Sequence, residues 1–224
     1  FDLRLDYRPY EGGLVSISWF KKEIKDPIEN VQRATVAGFT FMTPMNFPKG
    51  TLQGWEFEVR QDLGHFWDVL KGLAVGANAT FIDSEVVIPP EERSAAEKLA
   101  TRDMTNAPEY LYNLYATYDL EQTNTQFTLF YTFKGDTLIA GTQGSPLVPY
   151  PFAPSIYAKE YGTLNLSIVQ RIGEHIKLKF AAKNLTNPEI ETVYRSWLLN
   201  EDVTKSSYTK GIDYSIGLSA EWTF

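Results

Sequence analysis

Few residues in this chain could carry out covalent or metal chemistry. Its 224 residues include two histidines, His65 and His175, and no cysteine. Neither histidine stands in a His-Glu-x-x-His spacing, no Ser-His-Asp order is present, and no glycine-rich phosphate loop occurs. Without cysteine, a thiolate metal site and a disulfide framework are both excluded. We read both histidines as polar turn residues and expect no catalysis, no bound metal and no cofactor. Residues suited to binding are more plentiful. Phe47, Arg102, Tyr150, Phe152, Tyr157, Trp197 and Tyr208 all fall in long connecting segments. Aromatic faces suit sugars or aromatic chelators, and guanidinium groups suit anionic complexes. For any single one of them, packing of loop on loop is the commoner role. A second set, Glu56, Glu58, Arg60, Lys177 and Lys179, alternates with apolar residues and so belongs on the polar face of strands.

The clearest positioning element is the last stretch, Ile212 to Phe224. Ile212, Tyr214, Ile216, Leu218, Ala220, Trp222 and Phe224 alternate without error with Asp213, Ser215, Gly217, Ser219, Glu221 and Thr223. A period of two places one face of a strand in an apolar medium and the other in a polar one. The same alternation predicts strands near Phe1–Tyr7, Leu14–Ile28, Thr51–Asp62, Leu73–Val87, Tyr110–Leu120, Phe127–Ala140, Gly162–Arg171 and Ile176–Asn184. With the terminal run, that makes nine. Apart from Phe1–Tyr7, each has room for the roughly 9 to 11 residues of a tilted membrane strand. Arg33–Met42 reads as a hairpin arm beyond them, and Glu91–Ala100 as a short helix within a loop. Pro146, Pro149, Pro151 and Pro154 oppose regular pairing around Val148.

The connections alternate as well. Tyr10–Gly13, Gly64–Gly72, Glu121–Gln126 and Ile172–His175 are compact, whereas Glu29–Gly50, Ile88–Glu109, Gly141–Tyr161 and Ser196–Gly211 are long. Short turns alternating with long loops are the layout of an antiparallel outer-membrane barrel, with the long loops outside and the C-terminus in the periplasm.

Composition agrees. Mean hydropathy is −0.26 and no apolar run approaches a spanning helix, yet 14% of the chain is aromatic: 13 Tyr, 14 Phe and 5 Trp. Barrels place such residues in girdles at the two interfaces, and a polar lumen lowers the average hydropathy. The net charge of −7 with no basic run disfavours nucleic acid. Bacterial barrels close with an even number of strands, so nine strands beginning in mid-pattern at Phe1 point to the C-terminal piece of a longer chain.

Several segments resemble the C-terminal half of a TonB-dependent outer-membrane receptor. They are Gly13–Ile24, Gly54–Glu58, Ala77–Ser84, Ala107–Leu114, the penultimate-strand motif Ala182–Asn187 and the terminal Ser219–Phe224. The resemblance implies a 22-stranded barrel filled by an N-terminal plug domain. It also implies contact with TonB through that plug, and capture of a scarce ligand such as a ferric siderophore at the outer face. It implies that the C-terminal aromatics Tyr214, Trp222 and Phe224 are read by the barrel-assembly machinery. Relative to such a receptor, residues 1–224 would be barrel wall and loops, without the plug or the first strands. Two other readings remain open at this point: a passive porin-type channel, and a soluble carbohydrate-binding β-sandwich.

Overall fold

The computed structural model describes residues 1–35, 37–93, 99–142, 153–196 and 198–220. Its strands, in chain order, are β1 (Asp2–Tyr7), β2 (Leu14–Lys25), β3 (Ile28–Ala34), β4 (Thr40–Asn46), β5 (Lys49–Asp62), β6 (Leu73–Val87), β7 (Thr101–Arg102) and β8 (Tyr110–Leu120). They continue as β9 (Thr125–Lys134), β10 (Thr137–Thr142), β11 (Ser155–Ala158), β12 (Tyr161–Ile172), β13 (Ile176–Lys183), β14 (Ile190–Arg195), β15 (Val203–Tyr208) and β16 (Asp213–Ala220).

The main sheet is an antiparallel meander in the order β1-β2-β5-β6-β8-β9-β12-β13-β16, with β7 paired to β6. These nine path strands are the nine that the alternation predicts. Their register shows why the alternation exists. One cross-strand row reads Leu5, Ile17, Phe57, Ala79, Tyr112, Phe133; the next reads Asp6, Ser16, Glu58, Asn78, Asn113, Thr132, Thr163. Because side chains alternate along every strand, these rows lie on opposite faces.

Burial is inverted relative to a water-soluble sheet. Ser16 and Ser18 on the polar face are each 4% exposed, whereas Ile216 and Leu218 on the apolar face are 81% and 71% exposed. Leu3, Leu5, Val15, Ile17, Trp55, Phe57, Val59, Phe81, Leu114 and Leu129 belong to the same exposed belt. Leaving one such side chain in water forgoes about 1.5–3 kcal/mol of burial, so a belt of this extent belongs against an apolar medium.

The short connections lie together at one end of the meander. The turn at Tyr10–Gly13 is closed by Gly13 N donating to Tyr10 O at 3.0 Å. The Gly64–Gly72 stretch forms two 3₁₀ turns, the first capped by the Asp62 carboxylate accepting from Gly64 N at 2.9 Å.

At the opposite end the structure departs from the sequence reading. The long connections form a second sheet, in the order β15-β14-β11-β10-β3-β4, which includes a parallel pairing of β3 with β10. Two of the expected strands are cut in two by this arrangement. Leu14–Ile28 breaks where Asp26 turns left-handed (φ +51°) ahead of Pro27, which has no N–H to donate. Phe127–Ala140 breaks at Gly135–Asp136, where Gly135 N bonds to Tyr110 O at 2.9 Å and the chain leaves the main sheet. The arm around Arg33–Met42 is present, as the longer β3–β4 hairpin. At the ends of the Glu91–Ala100 stretch, expected as a helix, a 3₁₀ turn spans Pro90–Glu92, Arg93 is extended, and Ala100 O accepts from Ile88 N at 2.9 Å. Residues 94–98 of that stretch, and Pro146, Pro149 and Pro151, lie outside the described residues.

The second sheet packs over the end of the polar face. Val31, Phe47, Val86, Ile88 and Met104 form its core, supported by Ile24, Met45 and Ala107. Val86 shares its face of β6 with Ser84, Thr80 and Asn78, so the connections fold inward on the polar side, away from the exposed belt.

Candidate functional site

The inner end of this loop layer is held by a buried ion pair. Arg102 Nη1 donates to Glu29 Oε2 at 2.8 Å, and the two side chains are 6% and 1% exposed. Thr105 N donates to the same carboxylate oxygen at 2.9 Å, and Arg102 Nη1 also reaches Asp103 O at 2.8 Å. The guanidinium lies 5.0 Å from the Phe47 ring centroid. Burial pulls the Arg102 pKa below its ordinary value, and the charge and hydrogen bond of Glu29 oppose that pull. Gly141 makes this packing possible: a Cβ there would lie 2.2 Å from Arg102 Nε.

Phe47 and Arg102, read from the sequence as candidate ligand contacts, lie inside the loop layer. Phe47 is 2% exposed in the core and Arg102 is engaged with Glu29, so both pack loop against loop. Adding further strands to the sheet could only bury them more.

A second polar cluster joins two connections, the one between β9 and β12 and the one between β13 and β16. Asp136, just after β9, accepts from Lys159 Nζ at 3.0 Å and Arg195 Nη2 at 2.7 Å, while its other oxygen accepts from Glu160 N at 2.8 Å. Arg195, at the end of β14, also grips Asp202 in fork geometry, Nε to Oδ1 at 2.8 Å and Nη2 to Oδ2 at 2.7 Å. The hydrogen bond from Arg195 holds Asp202 below the usual carboxylate range, and the bond to Asp202 raises Arg195. Burial pushes Asp136 up, but hydrogen bonds from Arg195 and Lys159 outweigh it and leave Asp136 lowered.

Tyr157 belongs to this cluster: its ring lies 4.4 Å from the Arg195 guanidinium, and burial pushes its hydroxyl up to about 12. The pattern search found Tyr157 but missed Glu29, Asp136, Lys159, Arg195 and Asp202. No local spacing announces them, because Arg195 and Asp136 are 59 residues apart in sequence. Tyr208, on β15, is 50% exposed. Tyr150, Phe152, Trp197, Trp222 and Phe224 lie outside the described residues.

The polar wall below the loops contains the second predicted set. Glu56 and Glu58 stand opposite Ser18 and Ser16, and Arg60 opposite Leu14. Arg4 reaches across β2 to Glu58 at 2.9 Å and also holds Asp6 at 2.8 Å. Asn113 Nδ2 donates to Asn78 Oδ1 at 2.7 Å, and Thr132 Oγ1 donates to Asn113 Oδ1 at 2.9 Å, continuing the row. Lys177 and Lys179, on β13, are opposite Ser219 and Gly217. Among the described residues, no group of three or more His, Asp or Glu side chains could hold a metal ion.

The family model described as TonB dependent receptor-like, beta-barrel, matches residues 1–185. The chain belongs to the TonB-dependent receptor family. No curated protein matches its sequence. Solved structures of similar fold include the ferric citrate transporter FecA in its unliganded form, with a TM-score of 0.64 and 15% identity. The ferric enterobactin receptor PfeA of Pseudomonas aeruginosa, a mutant in complex with enterobactin, gives 0.61 and 14%, and the copper transporter OprC gives 0.60 and 14%. Each alignment covers 98% of this chain and 30% of the other. At such identity the likeness is one of fold. The chain thus spans under a third of the length of these transporters.

The TonB-dependent receptor family is one of the outer membrane, and the exposed belt is the apolar face of the barrel wall. Aromatic residues gather at both of its ends. At the short-turn end, Tyr10 packs on His65 (5.4 Å) and Phe66 (5.1 Å), and Phe66 packs on Trp67 (5.6 Å). Toward the loop end, Tyr110, Tyr112 and Phe133 stack at 5.1 to 6.4 Å. Tyr214 lies on the belt against Phe180, at 6.3 Å.

Proposed function

We propose that residues 1–224 form the C-terminal wall and outer loops of a TonB-dependent transporter of the outer membrane. It takes up a scarce ligand of the ferric-siderophore type, energised through TonB. The observation that carries this reading is the inverted burial of a nine-strand meander whose long connections fold inward over its polar face. A wall built this way faces lipid with one side and a lumen with the other, and its loops narrow the mouth. On this reading the loop sheet is extracellular, and the short turns and the C-terminal end of β16 are periplasmic. The remainder of a 22-stranded barrel, and the plug domain that contacts TonB, come from the rest of the receptor. Ligand contacts are assigned to Tyr208 and the half-buried Tyr157 of the loop layer, and, on sequence alone, to Tyr150, Phe152 and Trp197. Phe47 and Arg102 hold that layer from beneath. Tyr214, Trp222 and Phe224 serve the assembly machinery. FecA, PfeA and OprC handle ferric citrate, ferric enterobactin and copper, which supports a metal-bearing cargo as a class.

The test is uptake of iron-55 supplied as a panel of ferric chelates, in cells with and without the receptor and with and without TonB. TonB-dependent uptake of at least one chelate is the expected result. Uptake that persists without TonB would replace the reading with a passive channel. Recovery of the native protein in the soluble fraction would replace it with a sandwich domain.

A further inference from the structure

On its loop-ward side the apolar belt ends in a notch of mixed character. Trp19 of β2 and Trp55 of β5 are direct register partners there, and Phe81 of β6 is the partner of Trp55 on the other side. One row nearer the loops, on the same face, Gln53 Nε2 donates to Asp83 Oδ2 at 2.9 Å. With Glu109, these side chains line a hollow of about 370 Å³. Trp55 is 47% exposed, and among the described residues neither indole stacks on another ring, so aromatic face is open to a ligand. The bond between Gln53 and Asp83 leaves Asp83 Oδ1, Gln53 Oε1 and one Gln53 N–H to serve as acceptors and donor.

Below the notch the belt is hollowed again. Ala77 and Ala79 of β6 form a low floor between Val59 and Phe57 of β5 and Leu114 and Tyr112 of β8, and this groove holds about 500 Å³. Phe81 is the sill between the two hollows, edge-on to Phe57 at 6.2 Å and to Tyr112 at 5.8 Å. Both volumes fall within the roughly 300–1,000 Å³ of small-molecule sites. The strands β2, β5, β6 and β8 each have both sheet neighbours in place, so further barrel strands leave this surface unchanged. The loop layer folds to the opposite face and does not cover it.

Charge selects the head group. Asp83 and Glu109 line the notch, and Glu23 and Glu85 share the next row of that face. Lys21 is the cation in these two rows; Lys25 and Lys49 stand one row beyond, where Lys49 approaches Glu23 at 4.0 Å. The excess of carboxylate around the notch opposes a phosphate-bearing head.

We propose that notch and groove together form a site for a lipid with a sugar head. A pyranose ring stacks on Trp19 and Trp55, its hydroxyls bond to Gln53, Asp83 and Glu109, and an acyl chain lies over Ala77 and Ala79. Indole faces take up the C–H face of a sugar ring, and amide and carboxylate groups take its hydroxyls. The apolar groove continuing from the notch into the belt favours a lipid-borne sugar over a free one. The inference rests on the reading of the belt as membrane-facing, and adds to it a site of defined chemistry.

The test uses the full-length receptor reconstituted in phosphatidylcholine vesicles, with insertion checked by the heat-shifted gel band. Tryptophan quenching by an acyl-brominated glycosyl diacylglycerol is compared with quenching by equally brominated phosphatidylcholine and phosphatidylglycerol at the same mole fraction. The glycosyl lipid should be enriched at the tryptophans by about fivefold over phosphatidylcholine, roughly what one net hydrogen bond supplies. Gln53→Ala combined with Asp83→Ala should abolish the enrichment, and Ala79→Leu, which fills the groove, should lower it. The wild-type comparison carries the test if a variant does not insert.

Equal quenching by all three lipids would overturn the proposal and leave an aromatic girdle in unselective contact with lipid. Preference for phosphatidylglycerol would overturn it in favour of an anionic head. Enrichment that persists in the Gln53 and Asp83 double variant would overturn the assignment to the notch. Enrichment abolished by free methyl glucoside, with Ala79→Leu unchanged, would overturn it in favour of a soluble saccharide. If the receptor does not insert and shows no heat-shifted band, the membrane-wall reading itself fails, a result distinct from all of these.

Discussion

Glu29 and Arg102, 73 residues apart, meet at 2.8 Å beneath the loop sheet, and each side chain is almost wholly withdrawn from solvent. The pair joins β3 to the short strand β7, and thereby the first long connection to the second. Desolvation of two charges is costly, and the additional bonds from Thr105 N and to Asp103 O are what make the burial tolerable.

Removing one partner leaves the other charge buried and alone. Glu29→Ala and Arg102→Ala should each destabilise the loop layer by about 3–5 kcal/mol, while Glu29→Leu combined with Arg102→Met should cost less than either. Amide exchange across residues 28–34 and 100–105 of the folded receptor reads this directly. Equal loss of protection in the single and double variants would show that the pair is not the tie.

Gly141 extends the same argument. A methyl group there would lie 2.2 Å from Nε of an arginine that Glu29 prevents from moving. Gly141→Ala should therefore cost about 1–3 kcal/mol in the loop layer. The loss should shrink when Arg102 is also replaced by Ala, because the clash then disappears. Additive losses in the double variant would exclude the contact as the cause.

The cluster of Asp136, Lys159, Arg195 and Asp202 predicts how the loops respond to acid. Asp136 and Asp202 are both lowered from 3.8 in the folded chain. Their contribution is fully present above the unfolded value and is lost as pH falls through the depressed folded values. Lys159 and Arg195 are raised, so their contribution persists until pH passes above their ordinary range. Limited proteolysis of β11, β14 and β15 should accelerate only below about pH 4. In Asp202→Asn this acid transition should be weakened, with the loops more open at neutral pH. A transition centred near pH 6 to 7 would assign control to other groups.

The two faces of β16 make a fourth prediction. Ile216 and Leu218 point to the apolar belt, while Ser215 and Gly217 lie on the polar face. Ile216→Arg should destabilise the folded barrel by about 2–4 kcal/mol in lipid, and Ser215→Arg by far less. Urea titration of the receptor in vesicles, followed by the heat-shifted band, compares the two. Equal sensitivity would mean that the belt does not face lipid.

The nine strands of the meander were legible because their signal is local. Within each strand the face is set by residue i and repeated at i+2, so Ile212–Ala220 or Thr51–Asp62 announces itself without knowledge of its partners. The short turns were legible for a similar reason, through residues such as Asp62, Gly12 and Asn124 that cap or adopt left-handed conformations. The loop sheet was not. Its strands span four to seven residues, too few to establish a period. Three different connections contribute to it, and β3 lies parallel to β10 from a distant part of the chain.

The roles of individual residues divided along the same line. The polar alternation of Glu56, Glu58, Arg60, Lys177 and Lys179 could be read in sequence, but not that Arg4 satisfies Glu58 while Lys177 faces Arg171. Nor could Phe47 and Arg102 be told from exposed binding residues, since an aromatic and an arginine in a long loop look the same whether the loop is open to solvent or folded inward. The sequence by itself determined a wall with one apolar and one polar face and the parity of its connections, because those follow from the pleat. Only the tertiary structure decided which loop residues are buried and which charges meet, because both depend on strands brought together from different connections.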